Sequence, residues 1–172
     1  MSKNGSTTSP RRAAQRRGAR DGQTLDLERY VPAFVTFIAN KLSRSATVFY
    51  QQRFGINVTE WRIMSLLAIE PGITASRICH VIGFDKGPVS RTLTLMQNRD
   101  LIAIKRDPQD RRSHSISLTP RGRGIHDDVI VEALERERRL LACLRKDERE
   151  ILIDLLRRVH ANLGVVTGQV EP

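Results

Sequence analysis

The sequence has little of several residue types on which particular protein classes depend. Only two of its 172 residues are cysteines, and Cys79 and Cys143 stand far apart without Cys-x-x-Cys spacing. The four histidines are scattered, with no spacing typical of metal ligands. We therefore expect no disulfide framework, no metal site and no cofactor, and the cysteine usage favours a reducing, cytoplasmic compartment.

Long apolar runs and catalytic motifs are also missing. No apolar run approaches the roughly 20 residues that span a bilayer. No apolar stretch of signal-peptide length follows the first arginines, so we expect neither secretion nor membrane insertion. The sequence has no Gly-rich phosphate loop, no Gly-x-Ser-x-Gly, no His-Glu-x-x-His and no convergent carboxylate pair. This inventory predicts a protein that is not an enzyme and has no catalytic residues.

Acidic residues are outnumbered by basic ones. The chain has 29 Lys and Arg against 19 Asp and Glu, for a formal net charge of +10. Such a charge points to a polyanionic partner, either nucleic acid or an anionic membrane surface. Residues 1–24 carry much of it and contain almost nothing to bury, which predicts a disordered basic arm. That arm either follows DNA or only solubilises the protein.

The rest of the chain is long enough to bury a core without staples, and its apolar periodicity is mainly helical. The predicted helices span residues 25–54, 59–69, 74–82, 85–97, 120–144 and 147–163. The predicted N-caps are Thr59, Thr74, Asp85 and Asp147. Gly55 and Gly83 are predicted to end the first and third helices.

Residues 101–106 and 113–119 predict a β-hairpin, because apolar residues alternate on both sides of a polar turn containing Pro108. Two short helices separated by a Gly-containing turn precede this hairpin and form a helix-turn-helix signature. We therefore predict a mainly α winged helix-turn-helix domain with a small β-hairpin wing. The fourth helix would enter the major groove of DNA, and the wing would reach the adjacent minor groove.

The candidate DNA contacts lie on the third and fourth helices and on the wing. They are Thr74, Ser76, Lys86, Pro88, Val89, Ser90, Arg91, Thr94, Arg106, Asp110, Arg111, Arg112 and His114. The basic side chains would donate to guanine or to phosphates, while Pro88 and Val89 would pack on a thymine methyl. Asp110 would orient the Arg112 guanidinium before binding. The alternatives are an ordinary surface ion pair at Asp110 and a solvated charged loop at the wing.

Three motifs give the sequence a family resemblance. Residues 110–112, the following run 116–122, and Asp85-Lys86 with Val89-Ser90-Arg91 resemble the wing and recognition helix of the MarR family of bacterial transcriptional regulators. The resemblance covers about residues 25–163. It implies a homodimer whose first, fifth and sixth helices intertwine and present two winged helices to a pseudopalindromic site. Asp100 stands where the family usually has Gly, and Asp tolerates the left-handed backbone expected there.

This resemblance divides the chain into four parts. Residues 1–24 form the arm, 25–54 and 120–163 the dimerisation helices, 59–118 the DNA-binding winged helix, and 164–172 a flexible tail.

The runs 30–33, 40–44 and 59–62 also look similar to a MarR subgroup that senses aromatic acids or their CoA thioesters. The family implies an effector site between the dimerisation helices and the winged helix. Candidate lining residues are Asn40, Ser43, Arg44, Phe49, Trp61 and Arg62. Arg44 and Arg62 would pair with a carboxylate or phosphate, and Trp61 would stack on a ring. In the alternative interpretation, Phe49 and Trp61 are core residues and the arginines face solvent or DNA.

Together these features predict a sequence-specific regulator that binds duplex DNA, located in the cytoplasm and associated with the nucleoid when bound. We expect a repressor released from a pseudopalindromic operator by a small aromatic acid or aromatic acyl-CoA. The alternative is a constitutive architectural DNA-binding protein without effector control.

Overall fold

A computed structural model describes residues 24–106 and 114–168. Its elements are α1 (Val31–Phe54), α2 (Val58–Ile69), α3 (Ala75–Ile82), α4 (Lys86–Asn98), β1 (Ile102–Arg106), β2 (His114–Leu118), α5 (Pro120–Leu140), α6 (Lys146–Ala161) and α7 (Leu163–Thr167). The predicted mainly α architecture with one antiparallel hairpin is confirmed. Within the described residues, no helix has the length and apolar character required to cross a membrane.

The chain divides within α1 into two compact units, and the described part of the first is residues 24–44. Here α1 begins at Val31, so the predicted start at Leu25 is wrong. Before it, the Tyr30 N–H donates to the Asp26 carbonyl at 2.9 Å in a turn. Pro32 lies in the first helical turn, where its missing N–H costs nothing.

In the second unit, whose described residues are 45–168, α2 is capped differently from the prediction. Its N-cap is Asn57 rather than Thr59, and the Asn57 carboxamide oxygen accepts from the N–H groups of Thr59 and Glu60. The Glu60 carboxylate accepts in return from the Asn57 N–H at 2.8 Å. This reciprocal capping box begins the helix two residues earlier than a Thr59 cap would.

Two other helix starts also differ in detail. Asp85 occupies the N-cap of α4, as predicted, but its side chain makes no capping hydrogen bond. Arg145, not Asp147, is the N-cap of α6, and its N–H donates to the Glu148 carboxylate at 2.8 Å. At the other end, Leu163–Thr167 form a short helix where the sequence predicted a flexible tail from residue 164.

The wing has the predicted alternation of side chains. Ile102 pairs with Leu118, Ile104 with Ile116, and Arg106 with His114. Ile73, before α3, adds an isolated antiparallel bridge to Ile116. This bridge ties the start of the helix-turn-helix to the base of the hairpin. The turn before the hairpin has the predicted left-handed residue, since Asp100 has a φ of 56°.

Every buried hydrophobic side chain among the described residues lies between Tyr50 and Val129. These side chains come from the end of α1, α2, α3, α4, the hairpin and α5. In contrast, α6 buries no residue, and its apolar side chains are largely exposed.

The first turn of α5 packs directly against the chain that leaves α4. A Cβ placed on Gly122 would lie 1.9 Å from the Leu101 carbonyl oxygen, so only glycine fits there. The Thr119 hydroxyl donates to the Asp100 carbonyl at 2.6 Å and accepts from the Gly122 N–H at 2.9 Å. Thr119 is therefore both the N-cap of α5 and a link to the end of α4.

Candidate nucleic-acid interface

Helix α4 has one face in the core and one face in solvent. Val89, Leu93 and Met96 are buried, at the spacing of four and three that the sequence showed. Val89 is 0% exposed, so its prediction as a thymine contact is wrong. The same periodicity that placed Val89 near the helix start also turns it inward. The exposed residues of α4 lie on the other side of the helix.

The solvent face of α4 has polar and basic side chains and no acidic ones. Its exposed members include Lys86, Pro88, Ser90, Arg91 and Thr94. No Asp or Glu occurs between positions 86 and 98. A face with two cations and no carboxylate suits the approach of a polyanion.

Local contacts shape how this face presents its groups. The Thr94 hydroxyl donates to the Ser90 carbonyl at 3.1 Å, which leaves its methyl group and its acceptor lone pairs for a base edge. The Arg91 guanidinium lies 3.7 Å from where a Gly87 Cβ would be, so this arginine folds back along the first turn of the helix. The glycine thus leaves room for the guanidinium at the helix end expected to meet the bases first.

The start of α3 carries the two predicted phosphate contacts and one basic residue that sequence reasoning missed. Thr74 caps the helix by accepting from the Arg77 N–H at 3.2 Å, and Ser76 is exposed beside it. The Arg77 guanidinium donates two hydrogen bonds to Glu70, at 3.0 and 3.1 Å. Hydrogen bonding from Arg77 lowers the pKa of Glu70 despite some desolvation. The seven-residue spacing across Pro71-Gly72 gave no helical signal for this pair.

The wing contributes two predicted residues that the structure describes. Arg106 and His114 are exposed and form the last cross-strand pair of the hairpin. The other wing candidates, Asp110, Arg111 and Arg112, lie outside the described residues. The described part of the wing therefore ends on an exposed pair of nitrogen-bearing side chains, on the same face of the hairpin as Ile104 and Ile116.

The candidate effector residues fall into the two units separately. Asn40, Ser43 and Arg44 belong to the unit that ends at Arg44. In the second unit, Phe49 and Trp61 both pack on Tyr50, with ring centroids 5.7 and 5.9 Å away. Their partial burial against the core agrees with the alternative that they are core residues.

Two further contacts complete this aromatic cluster, which we define as Phe49, Tyr50, Trp61 and His126. Trp61 stacks on the buried His126 ring, with centroids 5.4 Å apart and an interplanar angle of 25°. His126 Nδ1 lies 2.8 Å from the Asp127 carboxylate. The sequence did not single out His126 for this site, because one isolated histidine in a helical segment indicates no particular role.

Arginines border the aromatic cluster. Arg136 lies over Phe49 and Tyr50, 5.0 and 5.8 Å from the ring centroids, and donates to the Ser45 hydroxyl at 2.9 Å. Burial raises the pKa of Tyr50, while Arg136 opposes that rise. Arg62, one of the predicted effector residues, instead lies over the Phe84 ring at 5.7 Å. Arg53 also lies over the Phe49 ring, at 5.9 Å, so the cations at the cluster include Arg136 and Arg53, neither of which sequence reasoning selected.

A helix-turn-helix followed by a basic hairpin and joined to long helices defines a winged-helix regulator, and known proteins agree. A model of the MarR family matches residues 54–113. The chain shares 31% sequence identity with a MarR/EmrR family transcriptional regulator from Acinetobacter sp. ADP1, whose crystal structure is known. The two structures match with a TM-score of 0.76, over 81% of this chain and 98% of that one.

Two more distant matches have the same character. The uncharacterised HTH-type transcriptional regulator YdgJ of Bacillus subtilis is 27% identical over 110 residues, covering 64% of this chain and 67% of YdgJ. The S. aureus MepR–DNA complex shares the fold at 23% identity and a TM-score of 0.69, over 77% of this chain and 97% of MepR. The chain belongs to the MarR family and is a winged-helix transcriptional regulator. The Acinetobacter protein and YdgJ are both named as transcriptional regulators.

Proposed function

We propose that this protein binds duplex DNA sequence-specifically through α3, α4 and the wing. The observation that carries the proposal is the solvent face of α4, which is anchored by buried Val89, Leu93 and Met96 and contains cations without carboxylates. A rigid helix with such a face fits the major groove, where arginine and lysine pair with guanine acceptors or phosphates. MepR, which has this fold, was crystallised with DNA.

The proposed contacts have separate roles. The exposed residues of α4 face the bases or the nearby DNA backbone, and Val89 supports them from the core. These exposed residues are Lys86, Pro88, Ser90, Arg91 and Thr94. Thr74 and Ser76 hold a phosphate at the start of α3, where the helix dipole favours an anion. The wing residues Arg106, Asp110, Arg111, Arg112 and His114 reach the adjacent minor groove.

We further propose that the binding species is a homodimer. Apolar side chains of α1 and α6 stand in solvent, including Phe37 at 49%, Ile38 at 52% and Leu156 at 50% exposure. Exposed apolar surface on this scale is typical of an interface. A second copy would cover these faces and place two α4 helices about one helical turn apart on a pseudopalindromic operator.

The proposed effector is a small aromatic acid or aromatic acyl-CoA, and its binding would release the operator. The support is chemical, because the aromatic cluster offers ring faces for stacking and Arg136 offers a cation for a carboxylate. The effector must bind the DNA-incompetent arrangement more tightly than the competent one. Within the same unit, Arg62 stays a candidate for the polar part of that site.

The test is operator selection followed by fluorescence anisotropy at fixed salt. Arg91→Ala and Arg112→Ala should each weaken operator binding about tenfold or more, whereas Arg138→Ala, on a remote exposed helix end, should leave it unchanged. Aromatic acids and their CoA thioesters are then added to the bound operator. If no preferred sequence emerges and no acid releases DNA, the architectural alternative is correct and the repressor proposal is wrong.

A further inference from the structure

The residue that directly follows α4 makes long-range side-chain contacts. Arg99 forms the C-cap of α4. Its Nη1 donates to the Glu60 carboxylate at 2.7 Å, and its Nη2 donates to the Gly55 carbonyl at 2.7 Å. One guanidinium thereby joins the end of α4 to the first turn of α2 and to the residue that ends α1.

Glu60 is an unusual partner because it is almost fully buried, at 3% exposure. One of its carboxylate oxygens accepts from Arg99, and the other accepts from the Asn57 N–H in the capping box of α2. A buried carboxylate depends on such a cation, since an unpaired charge in the interior is strongly unfavourable. Arg99 itself is exposed, with 40% of its side chain accessible to solvent.

The chain that follows Arg99 is held by Thr119, the N-cap of α5. Thr119 donates its hydroxyl to the Asp100 carbonyl and its N–H to the Leu101 carbonyl, at 2.6 and 3.2 Å. Gly122 permits the close approach of α5 at Leu101. The end of α4 is thus fixed by α2 through Arg99 and by α5 through Thr119. We name residues 99–101 the α4 clamp.

From this geometry we propose that Arg99 is a positioning residue for DNA binding, which sets the orientation of α4 through its ion pair with Glu60. The inference rests on the proposed function of α4. Lys86 and Arg99 are separated by about 20 Å along the helix axis, at 1.5 Å per residue. Arg99 therefore acts at the far end from the residues that meet the bases first.

The length of α4 converts a small change at the α4 clamp into a large one at the DNA. A tilt of about 5° at the Arg99 end would move the other end of a 20 Å helix by nearly 2 Å. Hydrogen bonds to base edges tolerate only a few tenths of an ångström around 2.9 Å. Losing the ion pair would therefore remove base contacts without removing any group that touches DNA.

The experiment compares specific and non-specific DNA binding in Arg99→Met, Arg99→Lys and Glu60→Gln. All measurements are made well below the melting temperature of each variant, with circular dichroism to confirm a folded protein. The matched control is Arg53→Met, because Arg53 forms a 2.8 Å ion pair with Glu132 that joins α1 to α5 and does not involve α4.

We expect Arg99→Met to lose roughly ten- to a hundredfold in operator affinity, the worth of one or two base contacts. Its affinity for an unrelated duplex and the salt slope of that binding should stay at wild-type values. Arg99→Lys should recover part of the loss, since an ammonium keeps the charge but not the two-pronged geometry. Glu60→Gln should lose specificity in the same direction, although its buried side chain cannot reach DNA.

Three results would overturn the inference. Wild-type operator affinity in Arg99→Met would show that α4 needs no such support. An equal loss on both duplexes, with a non-specific salt slope smaller by about 0.9, would make Arg99 a direct phosphate contact. An equal loss in Arg53→Met would make the effect a general consequence of ion-pair removal. If the wild type has no preferred site, the proposed function itself fails, and that outcome is visible before any variant is made.

Discussion

The winged helix and helix α6 solve the problem of apolar surface in opposite ways. Between Tyr50 and Val129 the chain buries a continuous core, closed by polar clamps such as Arg99–Glu60 and Thr119–Asp100. Helix α6 also has an apolar face, which includes Ile151, Leu155 and Val159, but none of its residues is buried. One region is complete as a single copy, and the other has a face that a single copy leaves in water.

The largest expected effect comes from placing charge on the uncovered face. The double variant Leu155→Asp, Leu156→Asp should yield a monomer whose operator affinity is at least a hundredfold weaker, because two linked half-site contacts become one. Sedimentation and anisotropy measure the two effects. Glu150→Ala, on the same helix, is the matched control. A monomeric variant that binds the operator normally would contradict the proposed dimer.

In the packed region, the largest effect should follow from Gly122→Ala. The new Cβ would lie 1.9 Å from the Leu101 carbonyl oxygen, so α5 or the end of α4 must move. We expect a loss of about 3 kcal/mol in the free energy of unfolding, at the upper end of typical overpacking costs. Urea unfolding followed by circular dichroism measures it.

The control for that change is Gly124, two residues further along α5. A Cβ on Gly124 would meet nothing within 4 Å. Gly124→Ala should therefore stabilise the protein by about 0.5–1 kcal/mol, the usual gain of alanine over glycine in a helix. Similar losses in both variants would show that the close approach at Leu101 is not the cause.

A smaller effect separates support of α4 from contact with DNA. Val89→Ala removes two buried methyl groups and should cost about 2 kcal/mol in unfolding free energy. Because Val89 is fully buried, the preferred operator sequence should not change. Selection of operators with the variant, at a temperature where it is folded, provides the measurement. A changed base preference would restore the thymine contact predicted from the sequence.

The smallest effect concerns a surface ion-pair cluster at the end of α5. Hydrogen bonds from Arg138 and Arg139 lower the pKa of Glu135 to about 2. Because this folded-state pKa lies below the ordinary value, the stabilisation is present above about pH 4.5 and is lost as the pH falls towards 2. The melting temperatures of the wild type and Glu135→Gln should converge over that range. A constant difference, or one equal to that of Glu137→Gln, would contradict this assignment.

The comparison also explains how far the sequence could predict this molecule. Period-two alternation gave the hairpin, and Gly83 and Asp100 marked left-handed positions that the structure contains. These features depend on neighbouring residues, so they are visible in a single sequence. The same local signals misplaced the start of α1, because Leu27 and Tyr30 fit the helical spacing although residues 26–30 form a turn.

Features that depend on distant residues were not predictable. Arg99 and Glu60 are 39 residues apart, and nothing in either local pattern indicates their ion pair. Arg136 bears on the aromatic cluster only because α5 packs beside the end of α1 within the second unit. The site prediction failed at Val89 for a different reason. Val89 was selected because it lies near the start of α4, although its spacing with Leu93 and Met96 places it on the buried face of the helix.

The stack of Trp61 on His126 has a practical consequence for studying this protein. Trp61 is the only tryptophan in the chain, so all indole fluorescence originates beside His126, Tyr50 and the end of α1. An emission change on adding a small molecule therefore reports an event that reaches this cluster, without any attached label. The protein carries its own optical probe at the place where the proposed effector chemistry is concentrated.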